Sequence, residues 1–134
     1  MEPTFHHGEA VPVDIPAGRF RFGDVLVLPH PTGPFFHRVV GRRKGLLRTK
    51  GDDRGHFDGW LTAPEQVIGR AVQRFRGENL LAGIWSAFCG HLYRVAWRLD
   101  RGAGGFAGSE YRLDVEELNR AGFRILALLF SPRN

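Results

Sequence analysis

The feature that most constrains this sequence is a series of short apolar runs between Gly23 and Val72, each bounded by turn-forming residues. The runs Val25–Leu28, Phe35–Val40 and Leu46–Lys50 have the length of single strands. The segments between them are rich in glycine, proline and aspartate, which favour turns and interrupt helices. This part of the chain is therefore predicted to form a β-rich module.

The flanking segments extend that module. Glu9–Val13 alternates in polarity but contains Pro12, so we expect an edge strand or an irregular one. Val67–Val72 is predicted as a further strand. Pro29–Pro34 is predicted to be a loop, Gly41–Gly45 a hairpin turn and Gly51–Gly59 a loop.

The chain changes character after about residue 77. Apolar residues recur at spacings of three and four over Leu80–Leu99, which predicts an amphipathic helix. Ser86, His91 and Arg94 interrupt its apolar run, so it falls short of a membrane-spanning helix. Arg101–Ser109 contains four glycines and is predicted to be a flexible loop.

The last part of the extension is predicted as a short helix and a strand. Asp114 stands three residues before Glu117, a pattern typical of a helix start. Gly122 is expected to end that helix, and Phe123–Phe130 has the length of a strand. The predicted fold is therefore mainly β, with residues 1–76 as the β domain and residues 77–134 as a helix-containing C-terminal extension.

Composition narrows the class of protein. A chain of 134 residues is sufficient for one compact domain. Nineteen Lys and Arg against 14 Asp and Glu give a net charge of +5, but the basic residues are scattered, so no specific nucleic-acid partner is expected. The single cysteine, Cys89, cannot form an internal disulfide and lies among apolar residues, so we expect a buried thiol.

Two short motifs could carry chemistry. The first is Phe36-His37-Arg38-Val39-Val40, which places a histidine on a partly buried strand. The second contains Lys50-Gly51-Asp52, with a second aspartate at Asp58. A neighbouring carboxylate fixes the tautomer of a histidine that acts as a general base, and both aspartates are candidates for that carboxylate.

These motifs resemble those of the S26 signal peptidase family, in its histidine-using branch of endoplasmic-reticulum and archaeal type. Met1-Glu2-Pro3-Thr4 and Val67–Val72 extend the resemblance over roughly the first 72 residues. It implies an S24/S26 LexA-like fold and a serine endopeptidase that cleaves leader or signal peptides after small residues. It also implies that His37 is the general base.

The resemblance implies roles for other residues as well. Asp58 would orient His37, Asp52 would support the site, and Met1, Pro3 and Thr4 would line the substrate cleft. The family's nucleophilic serine would stand directly before Met1, so the chain as written is expected not to cleave peptides, and we expect the true start to lie upstream. No cofactor is expected.

Several alternatives remain open at this stage. The chain could be an inactive homologue that binds peptides or nucleic acid. A metal site is another possibility, because histidines and aspartates could supply ligands; the histidines are His6, His7, His30, His37 and His56. Ser86, Ser109 and Ser131 match no family motif.

The extension could pack on the β module or lie at a membrane surface. The chain as given is expected to be soluble, and membrane-associated if an upstream anchor precedes it.

Overall fold

The computed structural model describes residues 8, 10–15, 19–72, 76–102 and 108–130. Five strands are followed by two long helices. The strands are β1 (Val13–Asp14), β2 (Val25–Leu28), β3 (Phe35–Arg43), β4 (Leu46–Lys50) and β5 (Gly69–Ala71), and the helices are α1 (Arg76–Gly102) and α2 (Gly108–Phe130). A 3-10 turn, Pro64–Gln66, precedes β5. A β module followed by a helical extension is therefore confirmed.

The strands form one antiparallel sheet in the order β1-β5-β2-β3-β4. The predicted strands at Val25–Leu28 and Leu46–Lys50 are confirmed at both ends. The predicted hairpin turn at Gly41–Gly45 is too long, because β3 continues to Arg43. Only Lys44 and Gly45 form the turn, and both have the positive φ that a tight two-residue hairpin requires.

The extension is more helical than predicted. α1 reaches Gly102, and Ser109 already belongs to α2, so the predicted loop is shorter than Arg101–Ser109; residues 103–107 lie outside the described residues. The predicted strand at Phe123–Phe130 is wrong, because α2 continues through Gly122 to Phe130. Gly122 lies against the indole of Trp85, so its lack of a side chain serves helix packing and not a helix end.

Alternation along the strands sends neighbouring residues to opposite faces of the sheet. On one face lies a core cluster of Phe20, Leu26, Leu28, Val39 and Leu47. His37 and Thr49 share that face because they alternate with Arg38 and Lys50. The side chains of Arg38 and Lys50 contact residues of α1 and α2 instead. The sheet therefore separates the His37 side of the molecule from the helical side.

The two helices run antiparallel as a hairpin and pack on the sheet. Leu99 and Asp114 line one cavity between them, and Leu81 and Ile125 line another. At Gly23, with φ +90, a Cβ would overlap the backbone of Asn79, so this glycine lets the turn before β2 approach the start of α1. Among the described helices, neither has the length and apolar character needed to cross a membrane.

Candidate active site

His37 and Asp58 form the centre of the candidate site. His37 Nδ1 lies 2.6 Å from Asp58 Oδ2, and their side chains are 11% and 2% exposed. An ionised carboxylate only accepts hydrogen bonds, so Nδ1 carries the proton and donates it. The second ring nitrogen, Nε2, then holds a lone pair and can accept a proton. This is the arrangement of a histidine prepared as a general base.

The loop after β4 brings Asp58 back to the sheet. The Asp58 backbone N–H donates to the carbonyl of Thr49 at 3.0 Å. The Thr49 hydroxyl donates to Asp58 Oδ2 at 2.5 Å. Thr49 was not among the predicted site residues, although a polar residue on the buried face of a strand is a usable signal. Asp58 is therefore held by its backbone, by Thr49 and by His37.

The surroundings of His37 restrict its ring and leave Nε2 accessible. The Phe35 ring packs edge-on against the His37 imidazole, with 4.6 Å between the ring centroids. The Trp60 ring packs edge-on against Phe35, with 6.5 Å between their centroids. A Cβ on Gly51 would lie 3.1 Å from His37 Nε2 and 2.7 Å from Asp53 Oδ1. Nε2 has no hydrogen bond to the described part of the chain. Glycine at position 51 therefore keeps space open beside the nitrogen that would take a proton.

Asp52 does not contact His37. Its carboxylate forms a two-pronged ion pair with Arg38, with Nε–Oδ1 at 2.9 Å and Nη2–Oδ2 at 2.7 Å, and both residues are buried. Arg38 also donates to the carbonyl of Gly23 at 2.8 Å. A buried charge is tolerated only when it is paired and hydrogen-bonded, and this pair satisfies both conditions. Asp52 thus fixes the start of the loop that carries Asp58, from the helical side of the sheet.

A polar network joins this loop to both helices. Lys50 Nζ donates to Asn119 Oδ1 at 2.9 Å and to Ser86 Oγ at 3.1 Å. Asn119 Nδ2 donates to the carbonyl of Asp52 at 2.7 Å. Burial lowers the pKa of Lys50 to about 8, although the negative charge of Asp52 acts in the opposite direction. Sequence reasoning missed this network. Its only sign in the sequence is one polar residue among the apolar positions of each helix, Ser86 in α1 and Asn119 in α2.

Lys50 and Ser86 have the atoms of a serine–lysine catalytic pair but not its accessibility. Both residues are completely buried, so a peptide bond cannot reach Ser86 Oγ. Cys89 lies on the same face of α1, and burial raises the pKa of its thiol to about 11. A thiol in this state is a poor nucleophile. These groups hold the sheet and the helices together and are not placed to act as a catalytic site.

The remaining predicted residues fall outside the described site. Met1, Pro3 and Thr4, predicted for the substrate cleft, lie outside the described residues, as do His6, His7 and Ser131. Among the residues that the structure describes, no three ligand-type side chains are grouped as a metal ion requires. The structure therefore brings together His37 and Asp58 of the predicted set, and it places Asp52 on the other face of the sheet.

No family model, no curated protein and no solved structure matches this chain. The resemblance to signal peptidases therefore rests on the quoted motifs alone.

Proposed function

We propose that this chain carries the general base and orienting carboxylate of a serine endopeptidase of signal peptidase type. The observation that supports the proposal best is the 2.6 Å hydrogen bond from His37 Nδ1 to Asp58 Oδ2, with Nε2 left accessible. A histidine oriented by a buried aspartate is the base half of a Ser-His-Asp triad. In this proposal the nucleophile is the serine that the motif resemblance puts directly before Met1.

Each step of the proposed reaction follows from the orientation of His37. The serine Oγ–H transfers its proton to His37 Nε2 while Oγ attacks the carbonyl carbon of the peptide. Asp58 stabilises the imidazolium through Nδ1–H. His37 then gives the proton to the leaving amine, and the C–N bond breaks to leave an acyl-enzyme. Water, deprotonated by the same nitrogen, releases the acyl group and regenerates the serine.

The aromatic row beside His37 supports a site for an extended peptide. Phe35 is partly buried and Trp60 is 51% exposed, so they form an apolar surface next to the base. An exposed aromatic ring beside a catalytic group provides area for a substrate side chain at little entropic cost. The substrate in this proposal is a leader or signal peptide with small residues before the cleaved bond.

The proposal is tested with a version of the chain preceded by serine and upstream native sequence. The native N-terminus is first identified by mass spectrometry of the protein from its source cells. Cleavage of an internally quenched leader peptide is then measured. His37→Ala is expected to abolish turnover, and Asp58→Asn to lower kcat by roughly 10⁴-fold. His30→Ala is the matched control, because His30 also contacts Phe35 but is exposed and makes no contact with Asp58.

Two outcomes would reject the proposal. Turnover retained in His37→Ala shows that another group is the base. Absence of cleavage in the serine-preceded chain, together with binding of the same peptide, indicates the alternative function of an inactive peptide-binding module.

A further inference from the structure

The outward side of the α1–α2 hairpin is apolar along its whole length. Between α1 and α2 lie two cavities, of about 300 Å³ and about 530 Å³, one towards each end of the hairpin. Nine large side chains on this side are between 41% and 71% exposed. They are Leu80, Leu81, Ile84, Phe88, Val95, Leu99, Leu118, Ile125 and Leu129.

This apolar surface is larger than a lone chain normally leaves in water. Single exposed apolar residues are ordinary, but a contiguous patch above a few hundred Å² marks an interaction site. Side chains of this size that are half exposed still offer on the order of 50–100 Å² each. Nine of them therefore approach the roughly 800 Å² per partner that a stable protein interface buries.

Shape and charge both favour a second copy as the partner. A two-helix layer with a groove along its length is half of a four-helix bundle. Arg98 on α1 and Asp114 on α2 lie at the same end of the hairpin and are both exposed, and Asp114 lines the cavity at that end. A two-fold axis along the groove sets α1 of one copy against α2 of the other. It therefore places Arg98 of one copy against Asp114 of the other, twice.

We propose that this chain forms a two-fold dimer in which the α1–α2 hairpins of two copies close into a four-helix bundle. Leu81, Ile84 and Ile125 lie at the larger cavity and become buried. The proposal is independent of the peptidase function, because His37 and Asp58 lie on the other face of the sheet. Each copy therefore keeps its own candidate site away from the interface.

The test is the association state of the full chain by sedimentation equilibrium between about 1 and 200 µM. The wild-type chain is expected to be dimeric at the upper end of this range. Ile84→Glu and Ile125→Glu are each expected to weaken association by at least 100-fold, because each buries a charge without a partner. Ile68→Glu is the matched control: Ile68 is 48% exposed but lies on the β module. Circular dichroism checks that each variant keeps its helices.

A charge exchange tests the arrangement of the two copies. Arg98→Glu and Asp114→Arg are each expected to weaken the dimer about tenfold, because each places like charges together across the axis. The double variant is expected to recover most of the loss. No recovery would overturn the proposed two-fold axis.

Two other results would overturn the dimer itself. One is a chain that stays monomeric at 200 µM. The other is a monomer that co-sediments with phosphatidylglycerol vesicles and loses this binding in Ile84→Glu, which would assign the surface to lipid.

Discussion

Thr49 and His37, on adjacent strands, donate hydrogen bonds to the same oxygen, Asp58 Oδ2, at 2.5 Å and 2.6 Å. Two donors on one oxygen hold the plane of the carboxylate fixed. The Thr49 hydroxyl therefore acts on His37 indirectly, by preventing Asp58 from rotating.

This arrangement predicts a protected proton on His37. The Nδ1–H should give a slowly exchanging downfield resonance in proton NMR, because it donates to a buried carboxylate. Asp58→Ala is expected to remove the resonance. Thr49→Val should retain it and lower the free energy of unfolding by about 1 kcal/mol, the usual net value of one hydrogen bond. A resonance that survives Asp58→Ala would contradict the assignment.

Asn119 is predicted to contribute strongly to stability. Its side chain accepts a hydrogen bond from Lys50 and donates one to Asp52, so removal leaves two buried groups without this partner. Asn119→Ala is expected to lower the free energy of unfolding by about 2–3 kcal/mol in urea titrations. Asn79→Ala is the matched control and should cost less than 1 kcal/mol, because among the described residues the Asn79 side chain makes a single long hydrogen bond, accepted from Arg38 at 3.3 Å. Equal losses would show that the network adds nothing to ordinary packing.

Lys50 predicts an unusual dependence of stability on pH. Its pKa is lowered from 10.5 to about 8, so between these values the unfolded chain binds more protons than the folded one. The free energy of unfolding should therefore rise as pH increases, by about 1 kcal/mol between pH 8 and pH 9. The Lys50→Met variant should lack this rise. It therefore serves as the reference in urea titrations at pH 8 and pH 9. Above pH 9 Cys89 acts in the opposite sense, because its pKa is raised to about 11.

The Gly122→Ala substitution compares two effects on stability, a gain in helix propensity and a loss of packing against Trp85. Alanine is favoured over glycine inside a helix by about 1 kcal/mol. At position 122, however, a Cβ would overlap the Trp85 indole, whose Nε1 donates to the carbonyl of Asn119 at 3.2 Å. We expect net destabilisation of about 1–3 kcal/mol and a shift in tryptophan fluorescence. Gly59→Ala, with open space around it, should be close to neutral. A more stable Gly122→Ala variant would show that Trp85 moves aside freely.

Local patterns predicted the sheet better than the helices. Turn residues on both sides fixed the limits of Val25–Leu28 and Leu46–Lys50. Gly122 misled the prediction because a glycine placed for a neighbouring indole looks in sequence like one that ends a helix. Hydropathy could not show whether Phe123–Phe130 forms a strand or part of a helix, since a short apolar run is compatible with both.

The candidate site was predictable only in part. His37 and Asp58 each belong to a motif that is visible in the sequence, and the structure places the two side chains in contact. Asp52 sits in the same loop, but alternation on the preceding strand and the charge of Arg38 draw it to the opposite face. The roles of Ser86 and Asn119 depend on how α1 and α2 pack on the sheet, which no spacing within either helix could reveal.

The contact between Asp52 and Asn119 has a consequence for synthesis on the ribosome. The two residues are 67 positions apart, and Lys50 and Asn119 are 69 apart. At ordinary elongation rates of 5–20 residues per second, α2 emerges roughly 3–14 s after the loop that it secures. During that interval the strands can pair, but Lys50 remains without its Asn119 acceptor. The nascent β module is therefore expected to become protease-resistant only when the last helix has docked.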